Sequence, residues 1–192
     1  MSHRTGAAIM QSPQRPHRAL LRQRGLTLVE AATVTAIVAV LIGVAAPSLH
    51  DTVLRRQVEG VAAQLETDLQ LARAEAVARN KTVRMAFVRD ASGSCYVLHT
   101  GAAGGCRCDG QGETRCMPGA EALRTVPLGA ASPVQIRANS ASMAFDATRG
   151  TVTPTGTLRV QSAAGSLHQI VNIMGRVRSC TPDGWLVGYR PC

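Results

Sequence analysis

Three sets of residues carry chemistry by their type and spacing. The first is a lone acid, Glu30, inside an apolar run: residues 31–49 hold no charged side chain, and Leu26 to Val29 extend the run on its other side. A carboxylate at membrane depth without a partner costs a few kcal/mol or more, so Glu30 there calls for a cation. The second is Arg176 and Arg178, preceded by Gly175. Two arginines separated by one residue on an extended strand project from one face, ~6–7 Å apart, close to the spacing of successive phosphates. Their planar guanidinium forks suit phosphate oxygens, and Gly175 would let the backbone bend or approach a ligand closely.

The third set is six cysteines, Cys95, Cys106, Cys108, Cys116, Cys180 and Cys192, all beyond the apolar run. An even number on the external side of a membrane favours disulfides. Cys180 and Cys192 would close the last segment, a loop that stabilises by ~2–4 kcal/mol. The other four fall in residues 95–116, and their connectivity is open. Cys106, Cys108 and Cys116 do not follow a common zinc spacing, and oxidation competes, so no metal is expected. His99 and His168 lie in strand-like segments without an acid or nucleophile beside them. No glycine-rich phosphate loop opens a helix and no serine elbow occurs, so neither an enzyme nor a cofactor is expected.

The elements that must position these groups follow from composition and periodicity. A chain of 192 residues suits one domain and an appendage. With 45% hydrophobic and 17% charged residues, it fits neither a disordered chain nor a polytopic membrane protein. The formal charge of +9 is uneven, because Arg4, Arg15, Arg18, Arg22 and Arg24 precede the apolar run. Without residues 1–25, 16 basic side chains face 12 acidic ones, so overall charge alone does not make the remainder polyanion-seeking. From Arg137 onward six arginines meet only Asp146 and Asp183, a local excess of +4. Aromatic residues are 3% of the chain, too few for single-stranded nucleic acid to stack on.

Residues 26–49 as a helix would span ~36 Å, enough for a ~30 Å hydrocarbon core. The arginines before it and the single Asp51 just after it orient the N-terminus to the cytoplasm. A cleaved secretory signal fits less well: Glu30 interrupts its apolar region, and Pro47 directly follows the small-residue site Val44-Ala45-Ala46. Pro47 should kink or locally melt the helix. Beyond it, Leu54, Val58, Val61, Leu65, Leu69, Ala72 and Ala76 recur at three- and four-residue steps, with Arg55, Arg56, Glu59, Glu66, Asp68, Arg73 and Glu75 on other faces. This amphipathic helix, residues 50–80, should end near Asn80, with a weak point at Gly60. From residue 82 the period becomes two. Strands are expected over 82–89, 94–100, 123–128, 134–138, 142–145, 157–161 and 168–178. One long helix followed by an antiparallel sheet is an α+β architecture.

The segment Arg24-Gly25-Leu26-Thr27-Leu28-Val29-Glu30 resembles the processing site of type IV pilin-like proteins. The resemblance implies that residues 1–25 are a leader removed by a prepilin peptidase, which cuts between Gly25 and Leu26 and methylates the new N-terminus. It implies that Glu30 pairs with the new amino group of a neighbouring subunit. Leu26 departs from the phenylalanine usual after the cut but stays apolar. Met10 offers a second start that shortens the leader without changing the mature chain. Pilin helices commonly carry a proline near the depth of Pro47. The implied layout is a transmembrane helix over 26–49 in the inner membrane and a periplasmic domain over 50–192. That domain comprises a sheet over 82–178, a disulfide-rich loop over 95–116 and a tail over 179–192.

Two later patches, Phe145-Asp146-Ala147-Thr148-Arg149-Gly150 with Gly156-Thr157-Leu158, and Ile170 through Arg178, are similar to the FimT/GspH group of minor pilins and pseudopilins. In FimT-like members a Gly-Arg-x-Arg stretch binds DNA during natural transformation, and Gly175, Arg176 and Arg178 match it. The resemblance therefore implies a minor pilin that binds double-stranded DNA without sequence preference, with other pilins or pseudopilins as partners. It leaves open a pseudopilin of a type II secretion system, and a priming subunit of the pilus that binds no DNA.

Overall fold

The computed structural model describes residue 25 and residues 27–192; among these, the side chains of residues 44–48 are not described. Residues 1–24 of the expected leader, Met10 among them, and Leu26 therefore lie outside the described residues. A helix, α1, runs over Leu28–Arg79. Thr27 caps it: its hydroxyl oxygen accepts from the Glu30 N–H at 3.2 Å, and its carbonyl accepts from the Ala31 N–H at 3.0 Å. Threonine followed three residues later by glutamate is the spacing of a capping box. At the other end, Asn80 takes a φ of +50°, the Lys81 N–H reaches the Ala76 carbonyl at 3.2 Å, and the Asn80 N–H reaches that of Val77 at 3.2 Å. This pair of bonds with a left-handed residue is a Schellman ending, at the position the sequence indicated.

The expected melting at Pro47 is not seen, since the backbone is helical on both sides of it. Gly60 likewise lies within unbroken helix. Among the described residues no helix is long and apolar enough to cross a membrane; the stretch described with its side chains ends at Gly43. The chain divides into two units at that point. In the first, residues 28–43 are all exposed, including Ile37 at 60% and Leu41 at 63%.

The second unit holds the strands: β1 (Val83–Asp90), β2 (Gly93–Thr100), β3 (Cys106–Cys108), β4 (Thr114–Cys116), β5 (Ala122–Gly129), β6 (Gln135–Ala138), β7 (Ser142–Phe145), β8 (Val152–Thr153), β9 (Gly156–Gln161), β10 (Ser166–Val171), β11 (Val177–Thr181) and β12 (Arg190–Pro191). They form two five-stranded sheets, ordered β5-β2-β1-β7-β8 and β12-β11-β10-β9-β6, and a separate β3-β4 hairpin. The single antiparallel sheet expected from the sequence is thus two sheets, with one parallel pairing, β11 to β12. The disulfide-rich loop expected over 95–116 contains the β3-β4 hairpin.

One core cluster joins the helix to both sheets. Val58, Ala62, Leu65, Leu69, Ala72 and Ala76 of α1 pack with Met85, Tyr96 and Leu98 of the first sheet and with Leu158, Val160 and Leu167 of the second. A second cluster, Ala86, Cys95, Val97, Cys106 and Cys108, lies on the other face of the first sheet. Strand β2 is therefore buried on both faces, as its burial pattern shows, and does not alternate. Ala62 is buried where the sequence placed Val61, which is only half-buried.

Asp68, expected on a solvent-facing side of the helix, is 1% exposed. It lies one helical turn from Leu65 and Ala72, on the buried stripe itself. Its Oδ2 accepts from the Tyr96 hydroxyl at 2.7 Å and pairs with Arg124 Nε at 3.1 Å. Burial, then the bond to Asp68, pushes the Tyr96 phenol well above its ordinary range, so the hydroxyl stays a donor. A second polar anchor joins helix to second sheet: Gln169 Nε2 donates to the Ala62 carbonyl at 2.6 Å.

Tyr96→Phe should lower unfolding free energy by about 1–3 kcal/mol, because a buried acceptor loses its donor. Arg124→Met should cost less, since that guanidinium is 44% exposed. Urea unfolding followed by Trp185 fluorescence measures both, and an equal loss for the two would contradict this ordering.

Candidate functional site

The Gly175-Arg176-x-Arg178 stretch does not lie on one strand. The expected strand over 168–178 is a hairpin, β10 and β11, joined at Val171 and Val177. The Gly175 N–H donates to the Asn172 carbonyl at 2.9 Å, and the Asn172 N–H donates to the Arg176 carbonyl at 3.1 Å. Asn172 closes the loop a second way, its Oδ1 accepting from the Arg176 N–H at 2.9 Å. Gly175 has φ +72°, so a short turn ends in a left-handed residue, as in hairpins with a glycine bulge. The apolar run from Ile170 to Met174 reads as continuous strand; the Asn172 to Gly175 spacing was the signal for a turn.

Gly175 is buried, and a Cβ there would sit 3.4 Å from Val152 Cγ2 and 3.6 Å from Arg73 Cδ. Its part is to close the turn against the body of the domain. Arg176 leaves the turn and Arg178 stands on β11; both are exposed, and among the described residues neither takes part in an ion pair. Strand β12 pairs only with Cys180 and Thr181, so the stretch of β11 bearing Arg178 has a free edge.

Arg73 holds this turn in place, a role that sequence reading missed. Its Nη1 donates to the Met174 carbonyl at 3.2 Å, across 101 residues of chain. Its guanidinium fills the space beside Gly150, where a Cβ would come within 2.8 Å of Nε. The Val152 N–H donates to the Ile173 carbonyl at 2.8 Å, fixing the turn from a second side. Periodicity marks Arg73 only as off the apolar stripe, and nothing local links it to residue 174. The tip that these bonds hold presents Ile173 and Met174 to solvent, 56% and 53% exposed.

At the N-terminal end, Gly25 is exposed and lies outside α1, and Leu26 is outside the described residues. Glu30, at the third position of α1, is exposed, and among the described residues its carboxylate has no hydrogen-bond partner. All six cysteines are bonded: Cys95–Cys108, Cys106–Cys116 and Cys180–Cys192. The last is the expected closure of the tail. The first two tie β2 to β3 and β3 to β4 and leave no thiolate for a metal. His168 lies beside the tail, its Nδ1 3.7 Å from Cys192 Sγ. Burial first, then the charge of Arg159, lowers its pKa, with Asp183 opposing.

Residues 61–175 match the family described as type II transport protein GspH, more than half of the chain, with Gly175 the last residue matched. The type IV minor pilin FimU of Pseudomonas aeruginosa is 19% identical, with 65% of this chain and 88% of that chain covered and a TM-score of 0.48. The minor pseudopilin EpsH from the Type 2 Secretion System of Vibrio cholerae is 14% identical, with 65% and 97% covered and a TM-score of 0.46. No curated protein matches the chain.

Gly175→Ala should destabilise the chain by about 1–2 kcal/mol, the cost of forcing a Cβ into the left-handed region. Arg176→Ala and Arg178→Ala should each stay within about 0.5 kcal/mol of the parent, because exposed unpaired side chains hold nothing together. Denaturant midpoints distinguish the two classes, and a large loss for either arginine variant would show a structural role.

Proposed function

This chain belongs to the GspH family, whose pilin and pseudopilin members its N-terminal and C-terminal motifs resemble, and on that premise we propose that it is a minor type IV pilin that captures double-stranded DNA for uptake. The observation that carries the reading is the pair Arg176 and Arg178: exposed, without acidic partners among the described residues, and set beside a turn pinned by Arg73. Guanidiniums free of carboxylates are available to phosphate, and a fixed turn means little order is lost on binding. The contacts go to the backbone of the duplex and carry no base preference.

Assembly uses the other end. A prepilin peptidase removes residues 1–25 at Gly25, residues 26–49 hold the chain in the inner membrane, and the domain over 50–192 faces the periplasm. Glu30 then meets the amino group of Leu26 of a neighbouring subunit, a pairing that removes two charges from an apolar surrounding together. The exposed, unpartnered carboxylate in the isolated chain is consistent with that use. A second reading, a pseudopilin of a type II secretion system, is favoured by the family's own description. It predicts capture by other pseudopilins and no retention of DNA.

Gel-shift titration of the full chain in detergent against a duplex tests the first reading. Affinity should fall by ~0.9 log units per log unit of salt for each phosphate neutralised. Arg176→Ala/Arg178→Ala should abolish most of the binding; unchanged affinity removes the assigned role. For assembly, Glu30→Gln keeps the length and polarity of the side chain but not its charge. It should be processed and yet enter filaments as poorly as Glu30→Ala, as read by immunoblot of sheared fibres. Efficient incorporation of Glu30→Gln would overturn the proposed charge pairing.

A further inference from the structure

The second sheet turns one face to the core and one to solvent. Ile136, Leu158, Val160, Leu167, Gln169 and Val171 are buried on the inner face. Among the alternate positions, facing out, are the arginines of β6, β9, β11 and β12. Strand register places Arg137 of β6 opposite Arg159 of β9, Arg159 opposite His168 of β10, His168 opposite Cys180 of β11, and Cys180 opposite Arg190 of β12. One row across the sheet therefore reads Arg137, Arg159, His168, Cys180, Arg190. In the next row Arg178 stands opposite Ile170. Arg137, Arg159, Arg178 and Arg190 are exposed, and none is in an ion pair among the described residues.

This arrangement works against the sheet. Side chains directly opposite on neighbouring strands have Cβ atoms ~5 Å apart, and like charges there repel. Edge protection by charge accounts for an arginine on the outer strand β6, but Arg159 stands on β9, which has β6 on one side and β10 on the other. Cys180 in this row is buried and bonded to Cys192, so the cations are Arg137 and Arg159 towards one end and Arg190 at the other; unpaired on interior and edge strands alike, they fit an extended anion. Four strand spacings of ~4.8 Å give a row ~19 Å long, wider than the ~12 Å major groove, so its two ends can reach the phosphates of both strands. Stacked single strands fit poorly: Tyr96 and Phe145 are buried, and Phe87, Trp185 and Tyr189 pack against the core.

We propose that the outward face of the second sheet extends the nucleic-acid contact, with Arg137, Arg159 and Arg190 binding phosphates of a duplex that also meets Arg176 and Arg178. The inference rests on the DNA-capture reading and extends it from a turn to a surface. Full-length chain in detergent is titrated with a labelled duplex, and with a single strand of the same length, at several salt concentrations. Four proteins are compared: the parent, Arg137→Ala/Arg159→Ala, Arg176→Ala/Arg178→Ala, and Arg107→Ala/Arg115→Ala, which removes the same charge from the β3-β4 hairpin. The sheet variant should bind at least about tenfold more weakly, with a salt slope shallower by ~1.8. Its thermal midpoint should equal or exceed that of the parent, since a repulsive pair is gone, so weaker binding cannot be put down to unfolding. The hairpin variant should bind like the parent.

Parent-like affinity in the sheet variant, together with loss in the turn variant, overturns this inference and leaves DNA capture standing. Equal weakening in the hairpin variant overturns it as well, because binding would then follow net charge. Single strand held as tightly as duplex overturns the assignment to double-stranded nucleic acid. A parent chain that retains no duplex overturns the DNA-capture reading itself.

Discussion

Asp68 sets how the helix meets the sheets. A carboxylate buried to 1% on the apolar stripe of α1 is tolerable only where donors meet it, and Tyr96 on β2 and Arg124 on β5 supply them. Apolar packing alone would let the helix slide or rotate by a fraction of a turn at modest cost, whereas a charge has one low-energy position. Gln169, bonded to the Ala62 carbonyl, fixes the same helix to the second sheet nearly two turns away. Two polar pins on one helix give the two sheets a common reference.

Everything at the hairpin turn inherits that reference. Arg73 lies five residues beyond Asp68 on the same helix, so fixing the helix fixes the guanidinium that holds Met174 and fills the space between two glycine turns. The exposed arginines that follow are then carried on a surface whose position is set from the core. Disulfides finish the periphery. Cys95–Cys108 anchors the small hairpin onto the outer face of the first sheet, and Cys180–Cys192 holds the tail against β11, short of Arg178.

Much of this was readable in the chain. The helix was marked by three- and four-residue apolar steps, its end by Asn80, and most strands by period-two alternation, because these patterns are local. The candidate residues at both ends stood out for the same reason: an acid in an apolar run and a Gly-Arg-x-Arg stretch lie within a few residues. Asp68 was misplaced because periodicity sorts residues by polarity, and a polar residue on an apolar stripe counts as an exception until its donors, 28 and 56 positions away, are known. The turn inside 168–178 was hidden because Ile173 and Met174 are apolar yet exposed.

The sequence by itself determined the α+β class, the helix, the family and the residues whose chemistry is at stake. Only the tertiary structure decided that there are two sheets, that Arg73 supports the turn, and that Arg137, Arg159 and Arg190 share a row. The division follows from distance along the chain. Hydrophobic period and turn chemistry act between neighbours, whereas strand register joins residues that no local rule relates, and a shift of one position would send every one of those arginines to the opposite face.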